Sequence, residues 1–550
     1  MKPTRQQEAI IGYDDSCVVI AAPGSGKTFV ISQKIKNNFK GLLEHQGVIA
    51  ISYTNKASNE LKRRSLSNGE NPKSSFFGTI DKFNLSEIIV PFGKQLFGLP
   101  SAPIAVRKKS FIDTPKGNPL DWFDRHTSLD DLDREAVKQL ASYFVQGIIF
   151  IETIGVFANY IFTKSLACRK YITAKYKYIY IDEYQDSGLQ QHEIFLKIGS
   201  LGIKAIAVGD LNQSIYGFSG KDSKFLNELT QSKAFKNFKL NKNHRCDPSI
   251  INYSNYLLDP GTDLLEVNDG KNFVFFTRVK GKESEIAAWI NSVLPVLMKE
   301  FKVETPSKIA VLTRGNRTGS LVSAALKAPH KLSVSTDLDT NLNIWSSIFT
   351  GLLYFIFDPS HTFVEVVEIF TGYDRLKDSD LKKLSVLKKD LKTAVADKKR
   401  LSAPVLEKIF IEIARVIAPD LYSGESIILL REVLDSSAYL KSYEPAADDE
   451  INILTLHKSK GLEYDVVIHL DLHKWVFPAM GPKDGKDWKN PEYLSYQQDL
   501  NLHYVGVTRA RKACVLVSST QRTNDKGEVK EAEDSVFIWL NDIKDLRCKN

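Results

Sequence analysis

The chain has 550 residues, 43% hydrophobic and 25% charged, with a formal net charge of +8, a composition that supplies real cores and excludes general disorder. Its length exceeds what one core spans, so about three to four domains or subdomains are expected, and its basic excess favours a polyanionic partner without requiring one. Five cysteines, odd in number, scattered and never in C-x-x-C spacing, argue against a disulfide framework, a zinc site or an iron–sulfur cluster.

No apolar run opens the sequence as a signal segment would, and none later approaches the roughly 20 residues of a membrane span, so a cytoplasmic protein with no membrane association is expected. The first strong unit is Ser16-Cys-Val-Val-Ile-Ala-Ala, a buried-strand pattern running into Pro-Gly-Ser-Gly-Lys-Thr and then a helical stretch from Phe29 to about Phe39. A second strand from Gly47 to Tyr53 leads into an exposed helix beginning at Thr54-Asn-Lys-Ala. Strands at Tyr176 to Ile181 and Lys204 to Val208 are nearly continuous in apolar residues and are followed by acidic ones, as in a parallel sheet with its chemistry at the strands' carboxyl ends.

Helical patterns interrupt this order twice. The expected division is a first lobe from 1–86 and 175–246 split by a helical insertion at 87–174, and a second lobe from 247–344 and 448–550 split by a short helical insertion at 345–447. Strands of the second lobe are expected at Lys308 to Thr313, Ile451 to Leu456, Asp465 to Leu470 and Ala513 to Ser518. Leu381, Leu384, Leu387 and Leu391 recur at helical spacing among five lysines, the pattern of a surface helix with a solvated basic face.

Ala21-Ala22-Pro23-Gly24-Ser25-Gly26-Lys27-Thr28 departs from G-x-x-x-x-G-K-[ST] only at its first position, and it lies between a strand and a helix as that motif requires. Its glycines let backbone N–H groups curl around phosphate oxygens at a helix N-terminus. Lys27 is then placed to reach the β and γ phosphates, and Thr28 a Mg²⁺ ion. Asp182 and Glu183 end a buried strand, where the first suits the metal and the second suits activation of the attacking water. Nucleotide hydrolysis with ATP and Mg²⁺ is therefore expected.

The order of blocks resembles the UvrD/Rep/PcrA-type superfamily 1 DNA helicases. The matching segments are Thr54-Asn-Lys-Ala, Asp182-Glu-Tyr-Gln-Asp186, Val208-Gly-Asp-Leu-Asn-Gln213-Ser-Ile-Tyr216-Gly-Phe218-Ser-Gly, Asn243-His244-Arg245, Thr455-Leu-His457-Lys-Ser-Lys-Gly-Leu-Glu463 and Tyr504-Val-Gly-Val-Thr-Arg509-Ala. The resemblance implies an α/β protein of two RecA-like P-loop NTPase lobes, each with a parallel sheet and a helical insertion. It implies that Gln6 reads the adenine edge and that Gln213 senses the γ-phosphate. Arg245 and Arg509 would be arginine fingers, with His244 and Glu463 completing the nucleotide site. Single-stranded DNA would meet Tyr53, Thr54, Thr79, Phe83, Tyr216, Phe218 and His457, bases stacking on the aromatic rings, and movement would run 3′ to 5′. The chain departs from the family where Asp81, His244 and Phe218-Ser219 replace the usual His, Tyr and Trp-Arg.

The short insertions, Phe77-Gly-Thr-Ile-Asp-Lys-Phe, Ser86-Glu-Ile-Ile-Val-Pro-Phe and Lys164-Ser-Leu-Ala-Cys-Arg-Lys-Tyr also resemble the helicase-like subunits of Gabija anti-phage defence systems. That implies a partner nuclease carrying an ATPase domain and a metal-dependent nuclease domain. Two functions follow as expectations: an ATP-dependent DNA translocase or helicase, or a DNA-end-sensing ATPase that activates a nuclease without processive unwinding.

Overall fold

The computed structural model describes residues 2–53, 55–67, 69–102, 104–107, 109, 120, 122–123, 127–215, 222–267, 270–341, 343–359, 361–367, 369–370, 376–396, 402–419, 422–483, 487–524 and 526–548. Two six-stranded, wholly parallel sheets organise it. The first is built from β1 (Cys17–Ala21), β2 (Gly47–Ile51), β3 (Phe76–Gly78), β6 (Tyr176–Ile181), β7 (Lys204–Gly209) and β8 (Lys236–Leu240), in the order β3-β2-β6-β7-β1-β8. Two short strands, β4 (Ala105–Arg107) and β5 (Ile148–Phe150), pair with each other in the intervening insertion.

The second sheet holds β9 (Val274–Val279), β10 (Ile309–Thr313), β11 (His330–Leu332), β12 (Ile451–Thr455), β13 (Tyr464–His469) and β16 (Ala510–Ser519), in the order β11-β12-β10-β13-β16-β9. A hairpin of β14 (Met480–Lys483) and β15 (Asp487–Tyr493) leaves it before the helix Tyr496–Val507. In both sheets the crossovers carry helices to the faces, so central strands are buried on both sides and read as apolar runs.

The two helical insertions differ physically. The side chains of the first, including Phe92, Phe144, Phe157 and Ile161, share one continuous core with Val18, Ile49, Ile179 and Ala207 of the first sheet. Those of the second form a core of their own from Leu338 to Tyr443, with Trp345, Phe349, Leu384, Leu391 and Phe410 at its centre. Leu384 and Leu391 face that core from the helix Asp378–Ala394, whose lysines at 382, 383, 389 and 392 are exposed. No described helix is long and apolar enough to cross a membrane.

Candidate nucleotide and nucleic-acid site

The phosphate loop leaves β1 and enters the helix Lys27–Phe39 through two left-handed glycines, Gly24 at φ +67° and Gly26 at φ +87°. Neither position has room for a side chain. A Cβ at Gly24 would lie 2.5 Å from Asn243 Oδ1 and 2.6 Å from Arg245 Cβ, and one at Gly26 would lie 2.8 Å from Gln7 Nε2. The loop is thus pinned from two sides: the His244 N–H donates to the Gly24 carbonyl at 2.9 Å, and the Gln7 amide donates to the Ser25 carbonyl at 3.0 Å.

Gln6, expected to read adenine, lies exposed on the helix Arg5–Gly12, while its neighbour Gln7 is buried against the loop. Gln7 was legible in principle: Thr4 and Gln7 form a reciprocal capping box, the S/T-x-x-Q signature of a helix start. Asn243 was also missed. Its Oδ1 accepts the N–H groups of Arg245 and Cys246 at 2.7 and 3.0 Å, folding the segment that presents Arg245.

Asp182 and Glu183 stand at the end of β6, opposite Lys27 and Thr28. The Lys27 ammonium is 3.5 Å from Glu183 Oε1, and Thr28 lies close enough to the Asp182 carboxylate to favour its charged form. Glu183 occupies the left-handed region at φ 56°, ψ 44°, a conformation that costs a non-glycine residue about 1–3 kcal/mol and that clusters at functional sites. Burial and the neighbouring Glu183 charge raise the Asp182 carboxyl. Burial alone would raise Glu183 too, but Lys27, Lys460, the Gln185 amide and Arg509 together hold it low. Two adjacent carboxyls, Asp182 buried and Glu183 partly exposed, thus differ, one inclined to keep a proton and one ionised.

Gln185 ties this pair to the next strand. Its amide donates to Glu183 Oε2, and its Oε1 accepts the Asp210 N–H at 3.0 Å. Gln213, three residues beyond Asp210, is buried, and its Nε2 has no partner among the described residues. Ser25 Oγ is likewise buried without one. Orphaned donors beside a phosphate loop fit a phosphate oxygen, the acceptor that would relieve them.

The second lobe reaches across. Lys460, after β12, donates to Asp186 Oδ2 at 2.6 Å and to the Gln213 carbonyl at 2.8 Å, and Asn501 donates to the Ser214 carbonyl at 3.1 Å. Arg245 answers from the other side, bonding Glu463 at 2.8 Å. Arg509 is buried, its guanidinium turned onto the carbonyls of Val505 and Leu462 and the Thr508 hydroxyl. Burial and the charge of Arg245 push it down to about 10, so it stays cationic at neutral pH, within electrostatic reach of Glu183. His244 is exposed beside this cluster, and Glu463 also faces Arg511 at 3.5 Å.

The expected DNA contacts divide. Thr54, Tyr216 and Phe218 lie outside the described residues. Tyr53 and Thr79 line a cavity of about 220 Å³ at the ends of β2, β3 and β6, together with Ser52, Asp81, Glu183 and Asp186. Phe83 is a correction: it is fully buried, with Phe76 and Tyr176 edge-on at 5.3 and 6.1 Å, so neither face is open to a base. Phe83 closes the short helix Ile80–Phe83 and caps the π-helical turn Asn84–Ile89, with its ring in the core. His457 is half-buried, and burial, helped by Arg314 and Lys460, pushes its ring down to about 4, leaving it neutral.

Comparison with known proteins agrees with this arrangement. Residues 3–110 and 127–234 match the UvrD/REP helicase N-terminal domain, and residues 368–521 match the UvrD-like helicase C-terminal domain. The chain is 25% identical to the Gabija protein GajB of Bacillus cereus (strain VD045), over 94% of this chain and 96% of that one. It is 24% identical to DNA helicase II of Rickettsia typhi, over 94% and 92%, and 22% identical to the ATP-dependent DNA helicase Rep of Escherichia coli (strain K12), over 97% and 93%. Two family domains over most of the chain place it in the UvrD/Rep family of DNA helicases and ATPases.

Proposed function

We propose that this chain hydrolyses Mg²⁺·ATP between its lobes to move 3′ to 5′ along single-stranded DNA, and that it serves as the helicase-like component of an anti-phage defence complex with a partner nuclease. The observation that carries the motor is the meeting of groups from both lobes on one carboxylate: Lys27 at 3.5 Å from Glu183, and Lys460 and Arg509 of the second lobe within its field. The defence role rests on the likeness to GajB along nearly the whole of both chains.

In this reading Thr28 and Asp182 would hold the cation, which would neutralise phosphate charge and favour the ionised form of Asp182. Lys27 leaves Glu183 for the phosphates. Glu183, already ionised, then accepts a proton from the attacking water, with Gln185 fixing its second oxygen. Gln213 donates its free amide to the γ-phosphate. Arg245 and Arg509 exchange their present acceptors for charge that develops in the transition state, which they reach fully only when the lobes close.

Steady-state ATP hydrolysis with and without single-stranded DNA tests this. Strong stimulation is expected, with Lys27→Ala and Glu183→Gln each lowering the rate by at least about 100-fold; an unaffected Lys27→Ala variant overturns the site. A second reading, a DNA-end sensor that signals to a nuclease without processive unwinding, is favoured by the buried Phe83 and the acidic cavity beside Tyr53, which weaken the track for bases. Efficient strand displacement by the isolated chain removes it.

A further inference from the structure

The helix Arg5–Gly12 is fastened to the phosphate loop and its following helix at both ends. At its start Gln7, only 4% exposed, uses both ends of its amide: Oε1 accepts the Thr4 N–H at 2.9 Å, and Nε2 donates to the Ser25 carbonyl at 3.0 Å. That amide fills the space a side chain at Gly26 would need. At its end, the ammonium of Lys34, from the helix Lys27–Phe39, donates to the Ile10 carbonyl at 3.2 Å and to the Tyr13 carbonyl. Lys34 is 2% exposed, and a buried ammonium is retained only where acceptors receive it, here the carbonyls of a helix C-terminus with their partial negative charge.

Both ties end on backbone carbonyls, and together they fix the distance between helix and loop. Gln6, the neighbour of Gln7, is exposed on this helix. A carboxamide sets one donor beside one acceptor, the complement of the adenine edge with its N7 acceptor and N6 amino donor, whereas guanine offers two acceptors there, N7 and O6. The covalent length of a nucleotide fixes how far its base lies from its phosphates. With phosphates seated in the loop, both hydrogen bonds from Gln6 form only if the helix keeps one position relative to that loop.

We propose that Gln7 is a positioning residue for base selection: by tying the helix Arg5–Gly12 to the Ser25 carbonyl, with Lys34 as the second tie, it holds the Gln6 amide where that amide pairs with adenine and rejects guanine. The inference rests on the ATP reading above and deepens it, since it assigns nucleotide selectivity to a buried side chain whose partners are Thr4 and the phosphate loop. Gln7 acts only through Gln6, and its loss therefore costs nothing further once the Gln6 amide is gone.

Calorimetric titration of the full chain with Mg²⁺ and non-hydrolysable ATP and GTP analogues tests this through the ratio of the two dissociation constants, in which effects on phosphate binding cancel. The native chain should prefer the ATP analogue by at least about tenfold, the lower end of what a bidentate amide–adenine pair discriminates, and Gln6→Ala should remove most of that preference. Gln7→Met, and Gln7→Glu, which still accepts from Thr4 but no longer donates to Ser25, should each lower the preference at least about threefold. Neither should lower it further in a Gln6→Ala background. Thr4→Ala, which weakens the helix start and leaves the Ser25 bond in place, should keep the native ratio; if Gln7→Met does not fold, Gln7→Glu decides. Native preference in the folded Gln7 variants, an equal loss in Thr4→Ala, or an added loss in the double variants overturns the role of Gln7 while the ATP reading stands. A preference that survives Gln6→Ala, or no preference at all, overturns base reading by Gln6 and this inference with it, and failure to bind either analogue overturns the ATP reading itself.

Discussion

At the scale of single residues, the site is set by close approaches. Gly24 combines a left-handed backbone with a position where a Cβ would strike both Asn243 and Arg245. Both neighbours belong to the segment that presents an arginine to the cleft, so a side chain there disturbs phosphate loop and arginine together. Gly24→Ala is expected to abolish ATP binding, measured by calorimetry, and to lower unfolding free energy by about 1–3 kcal/mol from strain and overpacking. Binding that survives unchanged would show that the loop and the Asn243 segment are less tightly joined than their contacts indicate. Glu183 illustrates the same economy of space: its left-handed backbone donates to Asp182 Oδ1 and accepts the Asp186 N–H, and its carboxylate is held by Gln185 and Lys27.

At the scale of elements, the helix Tyr496–Val507, which delivers Arg509, is pinned to β13 by two buried histidines. His503 Nδ1 lies 3.0 Å from His469 Nε2, and the His503 ring stacks on Phe537 at 5.5 Å, 4° from parallel. Burial pushes His469 down to about 4, and burial, then the neighbouring His469, pushes His503 well below its ordinary value. An unfolded histidine binds its proton near pH 6.5, so below that pH the unfolded chain takes up protons that the fold refuses, and stability falls as pH drops. Lowering the pH from 7 to 5 should cost about 2 kcal/mol for each of the two rings. Melting temperatures across that range should show a shallower slope for His469→Leu/His503→Leu than for the native chain; equal slopes would mean that the rings accept protons in place.

At the scale of the whole molecule, specific polar groups join the lobes, Lys460 among them. Its ammonium reaches from the second lobe to Asp186, whose side chain is 1% exposed. Breaking a buried pair by removing one partner typically costs about 3–5 kcal/mol, whereas removing both charges costs far less. Lys460→Met is therefore expected to lower the melting temperature markedly, and Lys460→Met/Asp186→Asn to recover part of the loss, as read by calorimetry. A Lys460→Met variant that melts with the native chain would show that this contact does not join the lobes in solution. The two insertions also differ at this scale: the first shares the core of its lobe, while the second has a core of its own.

What the sequence determined by itself is what short-range pattern encodes. The strand-loop-helix around Lys27, the central strands β1, β2, β6, β7, β10, β12, β13 and β16, and the helix carrying Leu384 and Leu391 follow from local apolar runs, glycines and periodicity. The short or edge strands β3, β8, β9 and β11 were not legible, because pairing to a neighbour defines them more than their own residues do. The capping box of Thr4 and Gln7 sets Gln7 apart from Gln6 locally, but its contact with the phosphate loop depends on the orientation of a helix packed beside it. Phe83 shows the converse: its place in a matching motif suggested an open ring, but at the junction with the π-helical turn Asn84–Ile89 it is fully buried. The reach of Lys460 to Asp186, across 274 positions of sequence, arises only when two sheets and their covering helices are assembled. Side-chain chemistry is written locally, but which groups meet depends on the register of distant elements, and that register is decided by packing.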